Sequence, residues 1–315
     1  MKELFLIKTI LLMSLFTSCT NKEVSKKETI PPQSSIPKPV SQGHYKEQLT
    51  PWGRIKNPIP NPTSQAVGGY ANGCQLKAVA LPEKGEGYHD IRRERNRFYG
   101  QPESIAMVQY IGRNLAKKYN EDILIGDLSQ PAGGLMSYAH MSHQNGLDID
   151  IYFATTPKNT TPDPFYENPD NEPLYELADR AAGVMHKGRF KPIYRDALYL
   201  AATHPKTARI FVNSVIKLHL CQTEADTSWL RKIRPWGGHN SHFHIRLQCE
   251  GDLCSNQNPI PAGDGCNEEL EKWVFNQSDA ILNPKPQKKS TKPRAEKIPP
   301  ILCQNILTQY GDKND

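Results

Sequence analysis

Two stretches of strict apolar/polar alternation dominate the hydrophobic pattern of this chain. Leu147, Ile149, Ile151 and Phe153 alternate with Asp148, Asp150 and Tyr152, the period of two that sends successive side chains to opposite faces of a strand. Further on, Phe243, Ile245 and Leu247 alternate with His242, His244, Arg246 and Gln248, which predicts a second strand of the same kind. Each strand thus offers one apolar face to a core and one polar face to something else. Asn145-Gly146, just before the first strand, predicts a tight turn, because both of its central positions favour positive φ.

The remaining elements follow from weaker patterns. Ile105, Val108, Ile111 and Leu115 recur at helical spacing, and with Pro102-Glu103 ahead of them they predict a helix over 102–119. Ile123-Leu124-Ile125 reads as a short strand, running through Gly126-Asp127 to a Pro131-Ala132-Gly133-Gly134 loop. Residues 155–173 are rich in Thr, Pro, Asn and Asp and predict a surface loop. Helical patterns return over 174–185 and 194–202, followed by a strand over 209–212 and a short helix over 214–220. Helices and strands mix without regular alternation and without an internal repeat. The expectation is an α+β fold with an antiparallel sheet.

The ends differ from this middle. A short basic start and an apolar run interrupted by Lys8 read as a secretory signal, too short and too broken to span a membrane. It closes on Leu15-Phe16-Thr17-Ser18-Cys19, which resembles a bacterial lipoprotein signal with Cys19 as the lipidated residue; cleavage near Ser18 to a soluble exported protein is the alternative. The expected location is the periplasm, with an anchor to the outer membrane through Cys19. Residues 20–48 are polar and Pro-rich and cannot bury enough surface to fold, so they predict a tether. The folded domain is expected over 49–276, and 277–315 form an extended Lys/Pro-rich tail. The net charge of +6 sits partly in tether and tail. With no basic helix and no aromatic stacking motif beside it, nucleic acid is a poor match as a partner, and none is expected. Besides Cys19 there are six cysteines, Cys74, Cys221, Cys249, Cys254, Cys266 and Cys303. An even number in an exported chain predicts disulfides, and the count leaves all fifteen connectivities open.

Chemistry concentrates on the two polar faces. Five of the ten histidines (His140, His143, His239, His242 and His244) fall in two short windows, and a buried, unpaired Asp150 would be costly without a compensating cation. Solvated polar residues on half-buried strands are the bland alternative. The histidine clustering favours a metal site instead. Imidazole and carboxylate are ordinary zinc ligands, and three such ligands with an open fourth position are the usual catalytic arrangement. The helical His-Glu-x-x-His motif is absent, so no glutamate base is supplied by it. His242, one step from His244 on the same face, becomes the candidate general base, and His239 can share that work; orienting a ligand or a water is the alternative role. Arg246 and Arg234 are candidates to hold a substrate carboxylate, with structural ion pairs as the competing reading.

Longer motifs carry a family resemblance. Tyr70-Ala71-Asn72-Gly73-Cys74, the Gly126-Asp127 and Pro131 to Gly134 stretches, residues 140–151, 209–213, 229–236, 239–246 and 261–266 together resemble the penicillin-insensitive murein endopeptidases. That group stands among zinc peptidases with lysostaphin-type enzymes, D-Ala-D-Ala peptidases and the hedgehog domain. The resemblance implies a small antiparallel sheet flanked by helices and long loops. It implies Zn2+ held by His143, Asp150 and His244 with His140 close by, and disulfides joining Cys74 to Cys303, Cys221 to Cys266 and Cys249 to Cys254. It also implies a substrate, the D-alanyl-meso-diaminopimelyl cross-links of peptidoglycan. A carboxypeptidase or amidase acting on peptidoglycan peptides, or a zinc-stabilised binding module without turnover, are the other readings. Residues 155–192 do not match the family pattern, and no role is carried over to them.

Overall fold

A computed structural model describes residues 50–167, 176–285 and 298–311. The expected export signal with Cys19 and the tether lie outside the described residues. Seven strands form the main sheet: β1 (Lys84–Gly85), β2 (Tyr88–Asp90), β3 (Glu121–Ile125), β4 (Asp148–Pro157), β5 (Thr207–Val212), β6 (Ile233–Pro235) and β7 (His242–Leu247). Their spatial order is β6-β5-β7-β4-β3-β2-β1. The centre is antiparallel, as expected, with β7 between β5 and β4. Parallel pairs β5/β6 and β2/β3 flank it. The sheet is therefore mixed, and the described residues form a mixed α and β structure of the α+β kind.

Among the described residues four helices of ten or more residues accompany the sheet: α1 (Pro102–Ala116), α2 (Pro192–Thr203), α3 (Ser214–Thr223) and α4 (Glu268–Leu282). Both α1 and α2 begin on proline at the first turn, where the missing N–H costs nothing and the fixed φ suits the helix. Ile105, Val108, Ile111 and Leu115 of α1 and Ile193, Ala197, Leu198 and Ala201 of α2 pack in one core with Ile149, Ile151 and Phe153 of β4 and Phe243 and Ile245 of β7. Burying each of the larger side chains contributes about 1.5–3 kcal/mol. The alternation seen in the sequence is thus used in full: odd-numbered positions of β4 and β7 fill the core, and the even-numbered ones face the other way.

A second, smaller core joins the two ends of the domain. Trp52, Ile55, Val67 and Leu76 pack with Ile306 around Cys74 and Cys303, which form a disulfide. Cys221 pairs with Cys266 and Cys249 with Cys254. All three bonds are those the resemblance implied, and the first pins the C-terminal segment as expected.

Two expectations are corrected. The helical pattern over 174–185 is realised, where described, as a pair of two-residue strands, Ala178–Asp179 and Val184–Met185. The reason is local: Asp179 accepts the N–H groups of Ala181 and Ala182 (3.0 and 2.9 Å), and Gly183 has φ +69°, so a turn replaces the helix. The tail does not become extended at residue 277 either, because α4 continues to Leu282. Its Leu270 and Val274 are buried, and Asn267 caps it by accepting the N–H of Leu270.

Candidate metal centre

The even-numbered face of the sheet centre assembles the site. In the register of β4 and β7, His244 stands opposite Asp150, Arg246 opposite Asp148 and His242 opposite Tyr152. On the other side of β7, Phe211 of β5 stands opposite His244 and Arg209 opposite Arg246. Residues that the sequence could only assign to a polar face are thereby neighbours across strands.

His143 reaches this face from the loop before β4. Gly146 (φ +78°) makes the turn, and an added Cβ there would meet Gln75 Oε1 at 1.9 Å. His143 itself has φ +66°, a conformation that a side chain other than glycine adopts seldom and at a cost. It is held there from both sides. Its N–H donates to Asp148 Oδ2 (2.9 Å), its C=O accepts from Ser129 Oγ, and its ring Nδ1 donates to the carbonyl of Leu128. Ring nitrogen Nε2 is left facing the centre, buried and without a hydrogen-bond partner.

Four histidines converge on one carboxylate. Asp150 Oδ2 lies 3.5 Å from His143 Nε2, 3.6 Å from His140 Nδ1 and 3.8 Å from His242 Nε2, and Oδ1 lies 3.2 Å from His244 Nδ1. Donor atoms around a tetrahedral ion with bonds near 2.0–2.1 Å stand about 3.3 Å apart, so this spacing fits a bound cation. His140, His143 and Asp150 present donors within 4.8 Å of one another. Asp150 Oδ1 is also buried and without a hydrogen-bond partner. Buried polar atoms left unpaired in this way are costly unless a ligand satisfies them. The donor set therefore fits a metal ion, with His140, His143 and Asp150 as the compact trio and His244 beside them.

Carboxylates behind the ring fix the histidines. His140 Nε2 donates to Asp127 Oδ2 (3.0 Å), and Asp127 is paired with Arg97 (2.8 Å) and Arg95 (3.4 Å). His244 Nε2 comes within 3.0 Å of Asp148 Oδ1, off the hydrogen-bond axis. Asp148 in turn accepts from Arg246 Nε (2.7 Å) and Nη2 (2.9 Å). Carboxylates in this position orient metal-binding imidazoles and select their tautomer. Burial alone would raise the Asp127 and Asp148 carboxyls; Arg97 and Arg95 on the first, and Arg246 and His244 on the second, hold them well below the usual range.

The histidines divide by environment. Burial lowers His143 and His242. Burial, with His242 and His244 adding repulsion, lowers His239 to about 3. His244 goes the other way: burial would lower it, but Asp148 and Asp150 raise it to about 9 with protein groups alone around it. His239 Nδ1 donates to Gly237 C=O (2.9 Å), which leaves its Nε2 as an acceptor. Its ring centroid lies 5.0 Å from that of His242.

The centre opens into a cleft of about 550 Å3 lined by His140, Asp150, His239, His242, His244, Phe211 and Trp236 among others. Of the two arginines singled out in the sequence, Arg246 lines this cleft with its guanidinium engaged by Asp148. The Arg234 guanidinium lies toward Gly265 and Lys217, and Arg234 is not among the lining residues. Sequence reasoning assigned no role to Asp148, Asp127 or Arg209. Asp148 was within reach, since it shares the even-numbered face with Asp150. Asp127 and Arg209 stood in the quoted motifs but carried no local signal of their own.

Comparison with known proteins agrees with the geometry. The family model described as penicillin-insensitive murein endopeptidase matches residues 66–308. A protein of that name from Haemophilus influenzae is 42% identical over 261 residues, covering 81% of this chain and 87% of the relative. Proteins of the same name from Citrobacter koseri and Escherichia coli O1:K1 are 35% and 36% identical over 266 residues, covering 83% of this chain and 92% of each relative. A match of this length, spanning both histidine windows and all six disulfide cysteines with Cys74 and Cys303 near its ends, leaves one conclusion on kinship: the chain belongs to the penicillin-insensitive murein endopeptidase family.

Proposed function

We propose that this chain is a zinc metallopeptidase that hydrolyses D-alanyl-meso-diaminopimelyl cross-links in murein, acting in the periplasm. The observation that carries the reading is the convergence of His140, His143, His242 and His244 on Asp150 at the floor of an open cleft, in a chain of this family. Imidazole nitrogen with one carboxylate is a donor set suited to zinc.

His143 through Nε2, Asp150 through its carboxylate and His244 through Nδ1 would hold the ion, with His140 Nδ1 as a further ligand. A zinc ion held by these residues would supply an acidified water as nucleophile, with a pKa of about 7, and a Lewis acid for the carbonyl. The chain's own residues supply the remainder. His242 Nε2, on the cleft side and kept neutral by burial, is placed to take a proton from the nucleophile and return it to the departing amine. His239 presents its Nε2 as an acceptor beside it and can share the proton, although its low pKa makes it the weaker base. Phe211 and Trp236 wall the cleft and exclude water from one side of the peptide.

Mass spectrometry of purified cross-linked muropeptides tests the proposal, with the protein lacking residues 1–19 incubated with zinc, with a chelator, or as His143→Ala. Dimers should split into monomers only with the unsubstituted, zinc-loaded protein. Stem peptides that shorten or detach while dimers persist would move the reading to a carboxypeptidase or amidase. Intact substrate with zinc shown to be bound would leave a binding module.

A further inference from the structure

Three arginines line the cleft: Arg95, Arg209 and Arg246. Arg95 is paired with Asp127 and Arg246 with Asp148. Arg209 makes no ion pair among the described residues. Its Nη2 donates to the carbonyl of Asn258, and its Nε is buried without a hydrogen-bond partner. The residue stands directly opposite Arg246 in the β5/β7 register, where like charges repel. Burial, then Arg246 and Arg234, lower its pKa, yet a guanidinium stays charged at any ordinary pH. A half-buried cation beside another arginine, with a donor left over, is unfavourable for the empty fold. A fixed donor fork of this kind matches a carboxylate.

Arg209 also sits at a useful distance. Phe211, two residues along β5, is the partner of His244 in the register, so Arg209 is displaced by about 7 Å along the strand from the metal-binding level. That is about two residues of an extended peptide. The anion it would hold lies close to the bond being cut.

We propose that Arg209 is the carboxylate-binding residue of the cleft, holding the free carboxylate of the diaminopimelyl residue next to the scissile amide. The assignment rests on the cross-link reading above and gives it a source of specificity. In diaminopimelate the carbon bearing the acylated amine also bears a carboxylate. Amidation of that group removes the charge and one acceptor while leaving the scissile bond unchanged.

The test is calorimetric binding of two ligands that are not cut, a diaminopimelyl peptide with the free carboxylate and the same peptide amidated there. Both are titrated into the zinc-loaded protein, into Arg209→Gln and into Arg209→Lys, with circular dichroism to verify folding. The unsubstituted protein should bind the free acid about 10- to 100-fold tighter than the amide. Arg209→Gln should lose that preference and bind the amide as the parent does. Arg209→Lys should keep part of it, since it retains the charge and loses the fork. In turnover of cross-linked dimers, Arg209→Gln should raise KM with kcat little changed, the mark of lost uniform binding. A parent protein that does not discriminate, or an Arg209→Gln protein that still does, overturns the assignment. The two readings fail separately: discrimination without cleavage of cross-links sinks the peptidase proposal and spares the carboxylate site, and cleavage without discrimination does the reverse.

Discussion

Removing the Asp148 carboxylate should destabilise the domain far more than removing the whole ion pair to which it belongs. Asp148 is fully buried and accepts from Arg246 Nε and Nη2 and from the N–H of His143. Arg246 is 4% exposed, with its guanidinium carbon 4.3 Å from the centre of the Tyr70 ring and 5.1 Å from that of Phe211. Asp148→Ala therefore strands a guanidinium that is almost wholly withdrawn from water. Breaking a buried pair in this way costs about 3–5 kcal/mol. For a domain of this size each kcal/mol lowers Tm by about 2–4 °C, so the expected fall is roughly 6–20 °C. In Asp148→Ala/Arg246→Met the stranded charge is gone, and an apolar side chain of similar length fills the space. Replacing such a pair is often close to neutral, so the double variant should recover most of the loss. The part that does not recover measures the other contacts of Asp148, the hydrogen bond from the His143 N–H, about 1 kcal/mol, and the approach of His244. Calorimetric melting with disulfides intact and a chelator present separates this effect from metal binding. A double variant no more stable than Asp148→Ala would refute the argument that the cost lies in the uncompensated Arg246 charge.

Asp127→Asn should weaken metal binding about 10- to 100-fold, because His140 loses the charged acceptor that orients its ring, and should also lower Tm through the lost countercharge to Arg95 and Arg97; competition with a metal-sensitive chromophore at a temperature where the variant is folded reads the first effect, and unchanged affinity would assign Asp127 to Arg95 and Arg97 alone. Lys217 should make stability rise with pH above neutrality. Burial lowers its pKa from 10.5 to about 7, with Arg234 adding repulsion, so between those values the unfolded chain holds a proton that the folded chain has released, and the balance tips toward the folded state as pH rises. Relative to Lys217→Met, the parent should gain Tm steadily over this interval, and parallel curves would show that the ammonium stays charged in the fold.

How much of this could be read from the chain depends on the range of the interaction. The alternation at 147–153 and 242–248 is local, and it announced both central strands and which side chains share a face. The helix α1 and the strand at Glu121–Ile125 were legible for the same reason. Two patterns misled. Apolar residues over 174–185 suggested a helix, but a short-range competitor won: Asp179 bonds its own following backbone and Gly183 closes a turn. The folded part runs past its expected end at residue 276 because α4 continues to Leu282, with Leu270 and Val274 on a buried surface that composition does not reveal.

The amino-acid sequence by itself determined the repertoire of the site: histidines at 140, 143, 242 and 244, Asp150 in register with a strand period, and a glycine where the turn needs positive φ. Only the tertiary structure decided which groups meet. Asp148 and Arg246 are 98 residues apart in the chain, and nothing in spacing or periodicity selects that pair over the other acids and bases. The distinction between an arginine already engaged, Arg246, and one left with a free donor, Arg209, is likewise a property of the pairing of β5, β7 and β4. Periodicity is a statement about neighbours along the chain. Whether a buried charge has a partner is settled by the strand on either side of it.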